Sequence, residues 1–170
     1  MRKLQILTST ILLLLLVNPL FSEFKAAPTS QVSQVIIQAC LFEKSIAAQK
    51  EISIYVMGDK AVADVLSAYK GQALGSAKLK KLESGEDIPA DKPTILFLGN
   101  AELTSKASSY CQENSVLSVT NLPKAIKGGI SLGIGINGSG SPSLLLNPTQ
   151  TAKEGKNWNP AIMKMAEIVK

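Results

Sequence analysis

The chain has 170 residues, carries 18 Lys and Arg against 13 Asp and Glu for a formal net charge of +5, and contains two cysteines and no histidine. Without histidine, a Ser-His-Asp nucleophilic site and the commonest zinc ligand are both excluded. The basic clusters at Lys78, Lys80 and Lys81 and at Lys153 and Lys156 have no interleaved aromatic residues, so they read as solvated faces and not as a nucleic-acid surface.

Residues 1–27 read as an export segment. Arg2 and Lys3 precede an apolar run over 11–17, Pro19 breaks the run, and a mixed tail reaches Ala26 and Ala27. The run is shorter than the ~20 residues of a membrane-spanning helix. Ser22 and Ala27 each offer a small residue for cleavage, and each lacks another two places upstream. The remaining residues, 28–170, are enough for one domain with one core.

After a polar start at 28–33, apolar residues at 32, 35, 36, 39, 42 and 46 predict a first helix with one buried face. Residues 52–57 form an uninterrupted apolar strand that breaks at Gly58-Asp59, and Asp59 is placed to cap a helix over 61–69. A glycine turn over 71–75 precedes the charged stretch 78–83, read as a short edge strand blunted by lysines. The polar connection 84–92 ends at Pro93. The strand–glycine–cap pattern then repeats: 94–98 is a second buried strand, Gly99-Asn100 the turn, and 101–113 the next helix. A third parallel strand is predicted over 116–119, followed by a looser segment to Gly128-Gly129.

From Ile130 the pattern alternates, with Ile130, Leu132, Ile134 and Ile136 on one face and Ser131, Gly133, Gly135 and Asn137 on the other. Residues 137–141 have turn chemistry, and 143–146 return as the partner strand of a hairpin. Asn147-Pro148 starts a short helix ended at Gly155, and Asn159-Pro160 starts the last helix by the same device. The expectation is an α/β fold: a mixed, mainly parallel sheet of about 5–6 strands flanked by helices, with a C-terminal antiparallel hairpin and helix.

Several motifs invite chemistry. GIGING over 133–138 matches the dinucleotide fingerprint letter for letter, but that motif needs a helix after it and this one runs through an alternating strand into a hairpin. Its glycines instead leave a bare strand face open to close approach. Ser67 with Lys70 is the one serine–lysine spacing, on a helix face where such pairs are commonplace. Glu83, Glu86, Asp87 and Asp91 gather before Pro93 without the apolar pocket that would shift their titration. No catalytic, cofactor or metal site is therefore assigned. Cys40 and Cys111, in an oxidising compartment, are either a disulfide tying the first helix to the third or two separately buried thiols. Trp158 either staples the last helix to the core or stands out as an aromatic hot spot for a partner.

The segment from Ile52 onward resembles the YfiR family of exported proteins. The likeness is carried by the strand ending Met57-Gly58-Asp59, the strand 95–98 with Gly99 and then Glu102, and Val116-x-x-Val119-Thr120; Gly128-Gly129-Ile130 and Leu145-Leu146-Asn147 before Ala152 follow. It departs from the family pattern at the residues after Phe42, around Lys92-Pro93 and at Leu144. The resemblance implies a periplasmic regulator without catalysis of its own. Such a protein binds the periplasmic portion of an inner-membrane signalling protein, a diguanylate cyclase, and so controls cyclic-di-GMP signalling and biofilm formation; a homodimer is a further expectation. The contact surface is expected to include Val32, Gly133, Gly135 and Trp158. An alternative is a periplasmic small-ligand-binding protein whose mouth is formed by Asp59, Asn100 and Thr120, since open parallel sheets bind ligands beyond the carboxyl ends of their strands.

Overall fold

In the computed structural model, which describes residues 24–169, local sequence signals set the elements in chain order. The first are β1 (Lys25–Ala26), α1 (Thr29–Cys40), α2 (Lys44–Ala47), β2 (Glu51–Met57), α3 (Lys60–Ser67), β3 (Ala73–Leu74), β4 (Ala77–Gly85) and β5 (Ile95–Leu98). A 3-10 turn, Ala101–Leu103, leads into α4 (Thr104–Asn114), and β6 (Leu117–Thr120), α5 (Pro123–Lys127), β7 (Leu132–Ile136) and β8 (Pro142–Leu146) follow. The chain ends with α6 (Pro148–Lys153), α7 (Pro160–Met163) and β9 (Ala166–Ile168). Prolines open α5, α6 and α7 at a position where no intrahelical N–H is needed.

All nine strands join one sheet, in the order β3-β4-β2-β5-β6-β7-β8-β9, with β1 added against β7. The central run from β4 to β7 pairs in parallel, and antiparallel pairs flank it at β3–β4, β7–β8 and β1–β7. The sheet is thus larger than the expected five or six strands, and mixed instead of mainly parallel. Three local readings account for the difference. The charged stretch after Gly75 is a long strand that lies inside the sheet: its lysines point to solvent while Ala77 and Leu79 are buried, and β3 covers its outer edge. The expected last helix stops after one turn, and the chain becomes β9 because β8 offers an open edge for parallel pairing. β1 comes from the tail of the expected export segment; the rest of that segment, residues 1–23, lies outside the described residues. The first helix also ends earlier than its pattern suggests, at Cys40, and resumes as α2 after Glu43.

Cross-strand register defines two cores. One row runs Val56, Phe97, Val119, Leu132, Leu146 and Ile168 across β2, β5, β6, β7, β8 and β9. On this face lie α1 and α3, through Val32, Ile36 and Cys40 and through Val62 and Leu66, together with Trp158 and Ile162. The adjacent row, Met57, Leu98, Thr120, Gly133 and Leu145, looks the other way, toward α4 and α5 with Ala107, Cys111 and Ile126. Phe97 is fully buried, and removing a side chain of that size from water contributes about 1.5–3 kcal/mol. Burial on both faces is why β5 reads as an unbroken apolar run.

Candidate functional site

The carboxyl ends of β2, β5 and β6 bring Asp59, Asn100 and Thr120 to one end of the sheet, where one side-chain oxygen of each bonds the backbone. Asp59 Oδ1 accepts from Val62 N at 3.0 Å and caps α3. Asn100 Oδ1 accepts from Glu102 N at 3.0 Å. Thr120 Oγ1 donates to Leu98 O at 2.7 Å and accepts from Leu122 N at 3.0 Å. The two glycine turns also interlock: a Cβ on Gly99 would stand 2.2 Å from Asp59 Cβ, and one on Gly58 would stand 2.7 Å from Asn100 Cβ. Gly58 further has φ +75°, a conformation that costs little only for glycine. The repeated Gly-Asx signal therefore encodes close packing of two helix entries, with one oxygen of Asp59 and one of Asn100 spent on capping them.

The residues expected to face a partner are buried in the protein's own interior. Val32, on the inner side of α1, is fully buried. The bare face of β7 is covered: Ile126 from α5 and Leu145 fill the space over Gly133, and Phe24 with Lys25 lies over Gly135. Trp158 is 8 % exposed and donates from Nε1 to Thr151 Oγ1 at 3.2 Å, so it anchors the chain to the core. Exposed apolar side chains occur elsewhere. Met163, Met165 and Ile168 lie together near the open β9 edge, and Ile88 with the Tyr110 side of α4 lines a shallow groove of about 420 Å³.

Cys40 and Cys111 are free thiols, and no disulfide joins them. Cys40 lies in the core under α1 and Cys111 in the core under α4, so the sheet separates them. Burial pushes both thiols up from their ordinary value, with Glu43 adding to the effect at Cys40 and Glu154 at Cys111. Ser67 Oγ donates to Asp64 O at 2.6 Å, a helical back-bond, and Lys70 N donates to Ser67 O at 3.1 Å, so the pair is joined as ordinary helix-end backbone. The acidic connection pairs with lysines: Lys81 reaches Asp91 at 2.7 Å and Glu83 at 3.0 Å, and Lys106 pairs with Asp87. These partners hold Asp87 and Asp91 below the usual aspartate value. Among the described residues, no group of three or more His, Cys, Asp or Glu side chains could hold a metal ion.

Two buried carboxylates organise the polar interior, and sequence reasoning missed both. Glu154, fully buried at the end of α6, accepts from Ser131 Oγ at 2.6 Å, from Ser118 N at 3.1 Å, from Gln150 Nε2 at 3.1 Å and from Ser118 Oγ. Burial raises its pKa, and the hydrogen bonds only partly offset that. Glu43, also fully buried, accepts from Ser45 Oγ at 2.5 Å, from Ile46 N at 2.8 Å and from Asn157 N at 2.9 Å. Burial opposes its charge, yet the donors together hold its pKa below the ordinary glutamate value. Glu43 also pairs with Trp158 in an isolated antiparallel bridge, flanked by Lys44 N to Asn157 O at 3.0 Å and Asn159 N to Phe42 O at 2.8 Å. The sequence gives a faint trace of the first site, in the i,i+4 spacing of Gln150 and Glu154 on one helical face, and no trace of the second.

Comparison with known proteins fits this frame. A family model described as YfiR/HmsC-like matches residues 41–167. The chain matches none of the curated proteins. Among solved structures, a conserved domain protein from Vibrio cholerae O1 biovar El Tor strain N16961 is similar with a TM-score of 0.58 at 12 % identity, over 86 % of this chain and 61 % of that one. At that identity the likeness speaks for the fold alone, and this chain spans less than two thirds of its neighbour's length. The family match runs from α2 to β9 and takes in both buried carboxylates and the interlocked turns, and the chain belongs to the YfiR/HmsC-like family.

Proposed function

We propose that the protein is a periplasmic regulator that binds the periplasmic portion of an inner-membrane signalling protein, a diguanylate cyclase, and holds its output low. The observation that carries this reading is family membership over residues 41–167. A binding protein of this kind changes its partner's output only if it binds the partner's two signalling states unequally, and a tenfold bias corresponds to about 1.4 kcal/mol. No helix among the described residues is long and apolar enough to cross a membrane; in this proposal, contact with the membrane runs through the partner.

Cellular cyclic-di-GMP tests the proposal. A strain lacking this protein is expected to show raised cyclic-di-GMP and stronger biofilm, and deleting one membrane cyclase in that strain is expected to return both to the parental level. Unchanged cyclic-di-GMP in the null strain would refute the reading.

A further inference from the structure

We infer that export processing cuts the chain on the N-terminal side of Phe24, so that residues 24–27 remain in the mature protein as a working strand. The inference rests on the proposal that the protein is exported. β6 pairs with β7 only at Val119↔Leu132 and Thr120↔Gly133 and then ends. From that point β1 takes over the same edge, antiparallel, at Ala26↔Gly135 and Lys25↔Ile136. With β1 in place Gly135 is buried, and a buried backbone group without a partner costs about 1–3 kcal/mol; β1 pairs with Gly135 on the side opposite β8.

Side-chain packing agrees with the pairing. A Cβ on Gly135 would stand 3.1 Å from Lys25 O and 3.2 Å from Phe24 Cβ, so glycine is what admits the strand. Phe24 packs against the core that contains Cys111 and Ile126, and Ala27, 4 % exposed, belongs to the opposite core. Asn121 Nδ2 lies 3.5 Å from Ala27 O. The chain then enters α1 through Pro28, whose carbonyl accepts from Gln31 N at 2.9 Å.

The two small residues that offer a cleavage point are not equivalent once this strand is seen. Cleavage after Ala27 would discard β1, and it would place charged Lys25 two residues upstream of Ala27 and a proline immediately after the cut. Cleavage after Ser22 has apolar Leu20 at that upstream place and leaves β1 whole. The bond after Ser22 is therefore the assigned site.

The test is the N-terminal sequence and intact mass of the full-length chain after expression and export. The expected N-terminus is Glu23, or any residue up to Phe24. A mature chain that begins at Lys25 or later overturns the inference while leaving export intact. A chain that keeps Met1 overturns the inference, and its absence from the periplasmic fraction would overturn export as well. Phe24→Gly in the same full-length chain adds a second readout: the exported variant is expected to differ in mass from the parent and to melt at a lower temperature. Identical mass and identical melting would show that the segment had been removed.

Discussion

Replacing Glu154 separates the value of its hydrogen bonds from the cost of its charge. In Glu154→Leu, four donations lose their acceptor: those from Ser118 N, Ser118 Oγ, Ser131 Oγ and Gln150 Nε2. The two hydroxyls can rotate, but the Ser118 N–H is fixed in β6. With about 1–3 kcal/mol for each buried donor left unpaired, a loss of about 2–5 kcal/mol is expected. Glu154→Gln keeps the shape and one acceptor oxygen, and its cost is expected near 1 kcal/mol at mildly acidic pH. The pH dependence follows from the raised pKa. The folded protein holds the proton more tightly than the unfolded chain, so the group's contribution is full below the ordinary glutamate value of 4.5 and is lost as pH rises through the raised folded value. The gap between parent and Glu154→Gln should therefore narrow as pH rises. Cys111, whose thiol the Glu154 charge helps push up, is unchanged in both variants. Urea titrations at several pH values, with slopes checked for constancy, measure all three proteins. Equal costs for the two variants, or a gap that does not move with pH, would refute this account.

Glu43→Gln should show the opposite pH behaviour, because the folded protein lowers that pKa: the contribution is present above 4.5 and lost as pH falls through the lowered value, read by Trp158 fluorescence during urea unfolding. Gly99→Ala should cost about 1–3 kcal/mol by overpacking against Asp59, as measured by thermal melting, and wild-type stability would show the interlocked turns to be loose. Cys40 and Cys111 should resist alkylation in the native protein and yield two free thiols on unfolding, with melting unchanged by reductant.

The parts of the fold that could be read in advance are those written in local pattern. Residues 54–59 and 95–100 state their strand, their turn and their cap within a few positions, and the alternation from Ile130 to Ile136 states both the hairpin and which face is apolar. What could not be read depends on a neighbour that is distant in sequence. The residues from Lys164 to Val169 carry a pattern compatible with a helix, and only the open edge of β8 turns three of them into a strand. Lys25 and Ala26 look like the tail of an export segment until Gly135 leaves room for them. The same glycine face suggested a docking surface because its vacancy was legible and its occupants, Ile126 and Phe24, were not. Glu43 and Glu154 look like ordinary surface acids, since burial of a carboxylate is decided by donors that fold in from elsewhere.

The bond between Glu43 and the amide of Asn157 joins groups 114 positions apart. A polypeptide delivered N-terminus first, from ribosome or translocon, presents the acid long before its amide arrives. Until then the carboxylate has only the nearby Ser45 hydroxyl and Ile46 amide as donors, and because a charge short of partners is costly to bury, its enclosure is completed only by the tail.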